Sequence, residues 1–130
     1  MKIAASTGNG GLDDKITPMF GRAPSFTIVD VKDGEIVAIE TVKNSAAVRG
    51  GGAGIAASQM LVDKGIEVLL TGNVGPNAIS VLNTANIKIF KADGLKVEEA
   101  IKKYLNGELE EITAPSQPMK GKMKGGRWFQ

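Results

Sequence analysis

The sequence predicts an α/β protein with a mixed sheet covered on both faces, and three patterns carry that prediction. A two-residue turn, Asp33-Gly34, joins two apolar runs at residues 26–32 and 35–42, which marks a β-hairpin. Short runs of consecutive apolar residues then alternate with apolar stripes at helical spacing, the pattern of successive βα units. The strand-like segments are apolar on both faces, as strands are when layers pack on each side of a sheet.

Residues 2–6 read as a short central strand built on Ile3, Ala4 and Ala5. The polar, glycine-rich stretch over residues 7–24 is long for a connection in a small domain and marks a functional or mobile loop. Within the hairpin an unbroken register sets Val31 opposite Ile36, Val29 opposite Ala38 and Ile28 opposite Ile39. Lys32 and Glu35 form an opposite-charge pair beside the turn. Ala53, Ala56, Ala57, Met60 and Leu61 recur at helical spacing and stop at Lys64-Gly65. Residues 67–71 form a strand of the buried type. Gly72-Asn73-Val74-Gly75-Pro76-Asn77 then turns into a second helix striped by Ala78, Val81, Leu82 and Ala85. The proline sits near its start, where a missing N–H would be unbonded in any case. Residues 87–90 are a further strand. Val97, Ala100, Ile101, Tyr104 and Leu105 line a third helix, with Glu98–Lys102 and Glu99–Lys103 pairs on its outer face. The order β-β-β-α-β-α-β-α implies a mixed five-stranded sheet whose second strand is antiparallel to the others.

A chain of 130 residues with 42% hydrophobic content forms one domain with its own core. That domain is expected over residues 1–112, followed by a flexible basic tail over residues 113–130. The net charge of +2 argues against a nucleic-acid partner. It is unevenly spread: Lys120, Lys122, Lys124 and Arg127 lie in the tail, leaving twelve basic against fourteen acidic residues in the body. The chain has no Cys and no His. Disulfides, thiolate ligation of zinc or iron–sulfur clusters, and a histidine general base are therefore excluded. No apolar run approaches a membrane span and no signal-peptide pattern opens the chain, so a cytoplasmic protein without membrane attachment is expected.

Three glycine-containing segments are the candidate site. Arg49-Gly50-Gly51-Gly52-Ala53-Gly54 leads into the first helix, where free amides and the positive dipole end suit an anion. Gly52-x-Gly54-x-x-Ala57 meets a dinucleotide fingerprint in form, but no strand runs directly into it. Gly72-Asn73-Val74-Gly75-Pro76-Asn77 lies at the C-terminal end of a buried strand, the edge where open α/β sheets bind ligands. An ordinary tight βα turn would read the same way. Pro18-Met19-Phe20-Gly21-Arg22-Ala23-Pro24 reads either as a rigid lip over a pocket or as a buried Phe anchoring a loop. Among the carboxylates, Asp13 and Asp14 adjoin in a loop and Asp30 lies in a strand. Met119 and Met123 offer only soft thioethers.

Taken together, Phe20-Gly21-Arg22-Ala23-Pro24, Gly51-Gly52-Ala53-Gly54-Ile55-Ala56-Ala57 and Thr71-Gly72-Asn73-Val74-Gly75-Pro76-Asn77-Ala78 resemble the signature segments of the dinitrogenase iron–molybdenum cofactor biosynthesis family. That family includes NifX- and NifY-like cofactor carriers and many small archaeal and bacterial relatives, and the resemblance covers residues 1–107. It implies a three-layer ribonuclease H-like α/β fold and binding of an iron–molybdenum or iron–sulfur cluster or a precursor. Nitrogenase-linked members often carry His where this chain has Met19. Without Cys or His, the resemblance implies a cluster held non-covalently by backbone amides and by Arg22 or Arg49.

The first reading is thus a small non-enzymatic carrier of an anionic small molecule or metal cluster. Its site residues are Phe20, Gly21, Arg22, Arg49, Gly51, Gly52, Gly54, Gly72, Asn73, Gly75 and Asn77. Arg22 and the amides would contact the ligand, with Phe20 shielding it. A second reading is a metal-dependent phosphate-ester or nucleotide hydrolase using Asp13, Asp14 and Asp30. A third is an interaction module whose basic tail, with Trp128 and Phe129, docks on an acidic protein partner.

Overall fold

A computed structural model describes residues 1–48 and 52–115. The expected tail lies outside the described residues beyond Pro115. Strands β1 (Lys2–Thr7), β2 (Ser25–Lys32), β3 (Glu35–Lys43), β4 (Val68–Thr71), β5 (Lys88–Lys91) and β6 (Glu110–Glu111) form one sheet in the order β3-β2-β1-β4-β5-β6. β1, β4 and β5 are mutually parallel, while β2 runs antiparallel to both β1 and β3. The five expected strands are present, and β6 is a sixth that pairs antiparallel with β5 through Phe90–Glu111 and Lys91–Glu110. Two consecutive glutamates carry no apolar alternation, so nothing in their own sequence marks them as a strand.

Alternation along the strands sends side chains into two separate cores. Ala4, Phe26, Ile28 and Leu69 pack under α1 (Ala53–Asp63) and α2 (Pro76–Thr84). Ile3, Ala5, Val29, Val68 and Leu70 pack under α3 (Val97–Leu105) on the opposite face. The sheet is therefore a layer between helices, and β1 and β4, at its centre, are buried throughout except Lys2.

The hairpin turn adopts the positive dihedrals that Asp-Gly favours, φ 53° at Asp33 and 80° at Gly34. Lys32 faces Glu35 and Val31 faces Ile36 as expected, but a β-bulge then shifts the register by one. Val29 faces Ile39 instead of Ala38, and Ile28 faces Glu40. β3 also departs from the expected two-sided cover, since Val37 and Ile39 are 55% and 48% exposed. As an edge strand it lies beyond the main helical layers. In α2 the buried stripe is Ala78, Ile79 and Leu82; Val81 is half-buried and Ala85 exposed. In α3 the last stripe residue, Leu105, is exposed. The expected Glu98–Lys102 and Glu99–Lys103 pairs do not close, and Lys103 instead reaches Glu108 at 3.7 Å.

The long loop over residues 8–24 is pinned rather than free. Backbone bridges tie Thr7 to Ile16, Lys15 to Lys96 and Met19 to Asn73. Ile16 and Phe20 are inserted into the cores, 2% and 1% exposed. This pinning brings residues 18–24 to the C-terminal end of β4, beside the starts of α1 and α2.

Candidate functional site

A cleft of about 270 Å³ opens where three chain segments meet. One wall is the loop from Met19 to Arg22, the second is the start of α1 from Gly52 to Ile55, and the third is the start of α2 from Asn73 to Ala78. Backbone contacts hold these walls together. Asn73 donates its N–H to the Pro18 carbonyl at 2.6 Å, and Phe20 donates to the Asn73 carbonyl at 3.1 Å. A Cβ built on Gly21 would stand 3.0 Å from the Gly54 nitrogen, and one on Gly72 would run into the Pro18 carbonyl. These glycines are required because one stretch of backbone lies directly against another.

The electrostatics of the cleft come from its two helix starts. α1 begins at Gly52, in the left-handed region at φ 73°, and α2 at the extended Gly75; neither helix has a side-chain cap or an acidic residue in its first turn. The amides of Ala53, Gly54 and Ile55, and those of Asn77 and Ala78, find no acceptor among the described residues. Unsatisfied amides at a helix start carry the positive end of the dipole. Among the described residues no Asp or Glu lines the cleft, and Arg22 is the charged side chain in its wall. One Arg22 guanidinium nitrogen donates to the Ala47 carbonyl at 3.0 Å, fixing the arginine at the cleft edge. The arrangement suits an anion held by several directed N–H groups.

Eight of the eleven expected site residues line this cleft: Phe20, Gly21, Arg22, Gly52, Gly54, Asn73, Gly75 and Asn77. Gly72 does not line it but supports the α2 wall from behind. Arg49 and Gly51 lie outside the described residues. The role expected of Phe20 is corrected: its ring is buried against Phe26, centroids 5.4 Å apart, so it anchors the loop and cannot shield a ligand from above. Met19, half exposed, and Ile55 flank the opening. Asn44, which the sequence pattern did not single out, ties the Phe20 loop to the segment that follows β3.

The carboxylates expected of a hydrolase do not gather. Among the described residues no group of three His, Cys, Asp or Glu side chains is placed to hold a metal ion. Asp30 instead lies 3.5 Å from the N-terminal amine. Asp14 organises its own loop, accepting the N–H groups of Gly10 at 2.8 Å, Lys15 at 2.9 Å and Gly8 at 3.0 Å. These bonds, that from Gly10 foremost, hold its carboxyl below the ordinary value despite the opposing effect of partial burial. A larger depression of about 700 Å³ lies elsewhere, beside Glu40 and Lys64. Those two charges pair with each other at 3.3 Å, and no helix start points into it.

Known proteins resemble this chain in sequence and in fold. The family described as "Dinitrogenase iron-molybdenum cofactor" matches residues 1–107. An uncharacterized protein of Methanocaldococcus jannaschii is 33% identical over 112 residues, spanning 86% of this chain and 92% of the relative. The apo form of the orange protein from Desulfovibrio gigas is 38% identical, with a TM-score of 0.83 over 89% of this chain and 96% of that one. A Thermotoga protein solved by NMR is 34% identical, with a TM-score of 0.74 over 89% and 97% of the two chains. Both the sequence and the fold place this protein: the chain belongs to the dinitrogenase iron–molybdenum cofactor family.

Proposed function

We propose that this protein is a small non-enzymatic carrier that holds an anionic ligand without covalent bonds, its cargo being an iron–molybdenum or iron–sulfur cluster or a precursor. The observation that carries this reading is the pair of uncapped helix starts facing one cleft that has no carboxylate in its wall among the described residues. A multi-atom anion placed between α1 and α2 would accept from several of these amides at once. Cysteine and histidine are absent from the chain, so the usual ligands of iron–sulfur chemistry cannot contribute. The residues present fit a cluster as cargo gripped from outside, by the amides of Ala53–Ile55 and Asn77–Ala78 and by Arg22, and do not fit a cluster ligated by side chains. The strand order β3-β2-β1-β4-β5 supports assigning the fold to the ribonuclease H-like class. No helix among the described residues is long and apolar enough to cross a membrane, which is compatible with a carrier working in the cytoplasm.

The test begins with anaerobic purification, metal analysis and mass spectrometry of the intact protein. It continues with a competition titration against molybdate, a synthetic anionic iron–sulfur cluster, phosphate and nucleotides. The expected result is saturable binding of at least one of these anions, weakened tenfold or more in Arg22→Gln and Gly52→Val. If no anion binds, and both substitutions change only stability, the carrier reading is wrong.

A further inference from the structure

Asn44 is 3% exposed and sits where the chain leaves β3. Its side-chain nitrogen donates to the carbonyls of Gly21 at 3.2 Å and Ala23 at 2.8 Å, and its side-chain oxygen accepts the N–H of Ala46 at 3.1 Å. Its backbone N–H donates to the Pro24 carbonyl at 3.0 Å, and its carbonyl accepts from Ala47 at 3.1 Å. An asparagine that merely starts a turn would make the bond to Ala46, two residues on, and no more. Both side-chain hydrogens instead reach back to another loop, 21 and 23 residues earlier in the chain. The Arg22–Ala47 bond adds a second tie between the same two segments.

The segment at the other end of these ties is the cleft wall itself. Gly21 lies against Gly54 at the start of α1, and Phe20 is bonded to Asn73 at the start of α2. We propose that Asn44 is a positioning residue of the anion cleft. It latches residues 20–24 to residues 45–47, so that the wall between the two helix starts and the segment leading toward the glycine run move as one unit. Asn44 itself does not line the cleft. It would act by keeping the Gly21–Gly54 approach closed, which sets the spacing between Arg22 and the α1 amides. This proposal rests on the carrier reading for its effect on binding, but the latch can be read without any ligand.

The test uses Asn44→Ser in the full chain. Serine can still accept the Ala46 N–H but is too short to serve both distant carbonyls. Amide exchange in residues 20–24 and 45–47 should rise at least tenfold together, while β4 keeps its protection. Molybdate, or the synthetic cluster anion if that is what wild type binds, should bind at least tenfold more weakly. Ile101→Val, in the core on the opposite face, is the control: it lowers stability and should leave binding unchanged. Folded Asn44→Ser that binds as wild type overturns the positioning role, and exchange rising in only one of the two segments overturns the latch. Should Asn44→Ser not fold, wild type decides, because the amides of Ala23 and Ala47 must then open at one common rate across a range of denaturant. Separate opening refutes the proposal. Absence of any anion binding by wild type would sink the carrier reading alone, leaving the latch to stand or fall on exchange.

Discussion

The three helices begin in two different ways. α3 starts with two of its leading donors occupied and its dipole answered. Val97 donates to the Asp14 carbonyl at 2.9 Å, Glu98 donates to that of Leu12 at 3.0 Å, and Glu98 and Glu99 supply negative charge in the first turn. Lys102 and Lys103 complement its other end. α1 and α2 have neither device: no acid in the first turn, and no acceptor for their leading amides among the described residues. The same chain therefore completes a helix start on one face of the sheet and leaves two incomplete on the other. Completion from within is what stability alone favours, since a hydrogen bond contributes about 1 kcal/mol net and a first-turn acid about 0.3 to 1 kcal/mol. The omission at α1 and α2 is concentrated where the two starts converge, and that convergence is the ground on which a site is proposed there.

The largest expected effect comes from breaking the support of the incomplete side. In Gly72→Ala the new methyl group meets the Pro18 carbonyl, whose carbon stands 2.8 Å from the built position. That carbonyl accepts from Asn73, so the loop cannot retreat without giving up its bridge to the α2 wall. We expect a loss of about 3 kcal/mol in urea unfolding, the upper part of the range for overpacking, together with loss of anion binding. Exchange protection across α3 should be unchanged relative to global stability. If α3 loosens equally, the two faces are not independent and the comparison fails.

How far these differences were legible in the sequence depends on whether the signal was local. Asp33-Gly34 announced the hairpin because a type I′ turn demands those dihedrals of its own two residues. The bulge that shifts Val29 from Ala38 to Ile39 has no such local mark. β6 was missed because Glu110 and Glu111 become a strand only by pairing with β5. The three cleft segments were legible because close backbone approach requires glycine, and glycine shows in a sequence. The role of Phe20 was not, since Phe-Gly-Arg reads alike whether the ring covers a ligand or fills a core. Asn44 looked like any polar residue after a strand, because its partners at Gly21 and Ala23 are brought near only by the folded chain.

A smaller effect should appear on the completed side as pH falls. Asp14 holds the loop whose carbonyls cap α3, and its carboxyl lies below the ordinary 3.8 in the folded protein. The unfolded chain therefore takes up the proton first. The stability Asp14 contributes is fully present above that ordinary value and is lost as pH drops through the lower folded value. Asp14→Asn should remove about 1 kcal/mol or less at neutral pH, given the partly solvated setting. It should also flatten the fall in stability below pH 4 that wild type shows in acid titration. Anion binding at neutral pH should be unchanged, because this loop does not line the cleft.

The smallest effect on stability is the sharpest on the comparison. Asn77 lies in the first turn of α2, exposed and beside amides without acceptors among the described residues. Asn77→Asp would give α2 what α3 already has, an acid at its positive end. By the helix dipole alone the change should stabilise the ligand-free protein by about 0.3 to 1 kcal/mol, seen as a small rise in the urea midpoint. The same carboxylate would stand where the anion is proposed to sit and should weaken its binding threefold or more, with the loss shrinking as salt is raised. Stability and affinity should thus move in opposite directions from one isosteric substitution. A stabilised protein with undiminished affinity would mean that the α2 start is incomplete for some reason other than the ligand. Weakened binding with no gain in stability would mean that its amides are already satisfied by water, and that the repulsion is charge alone.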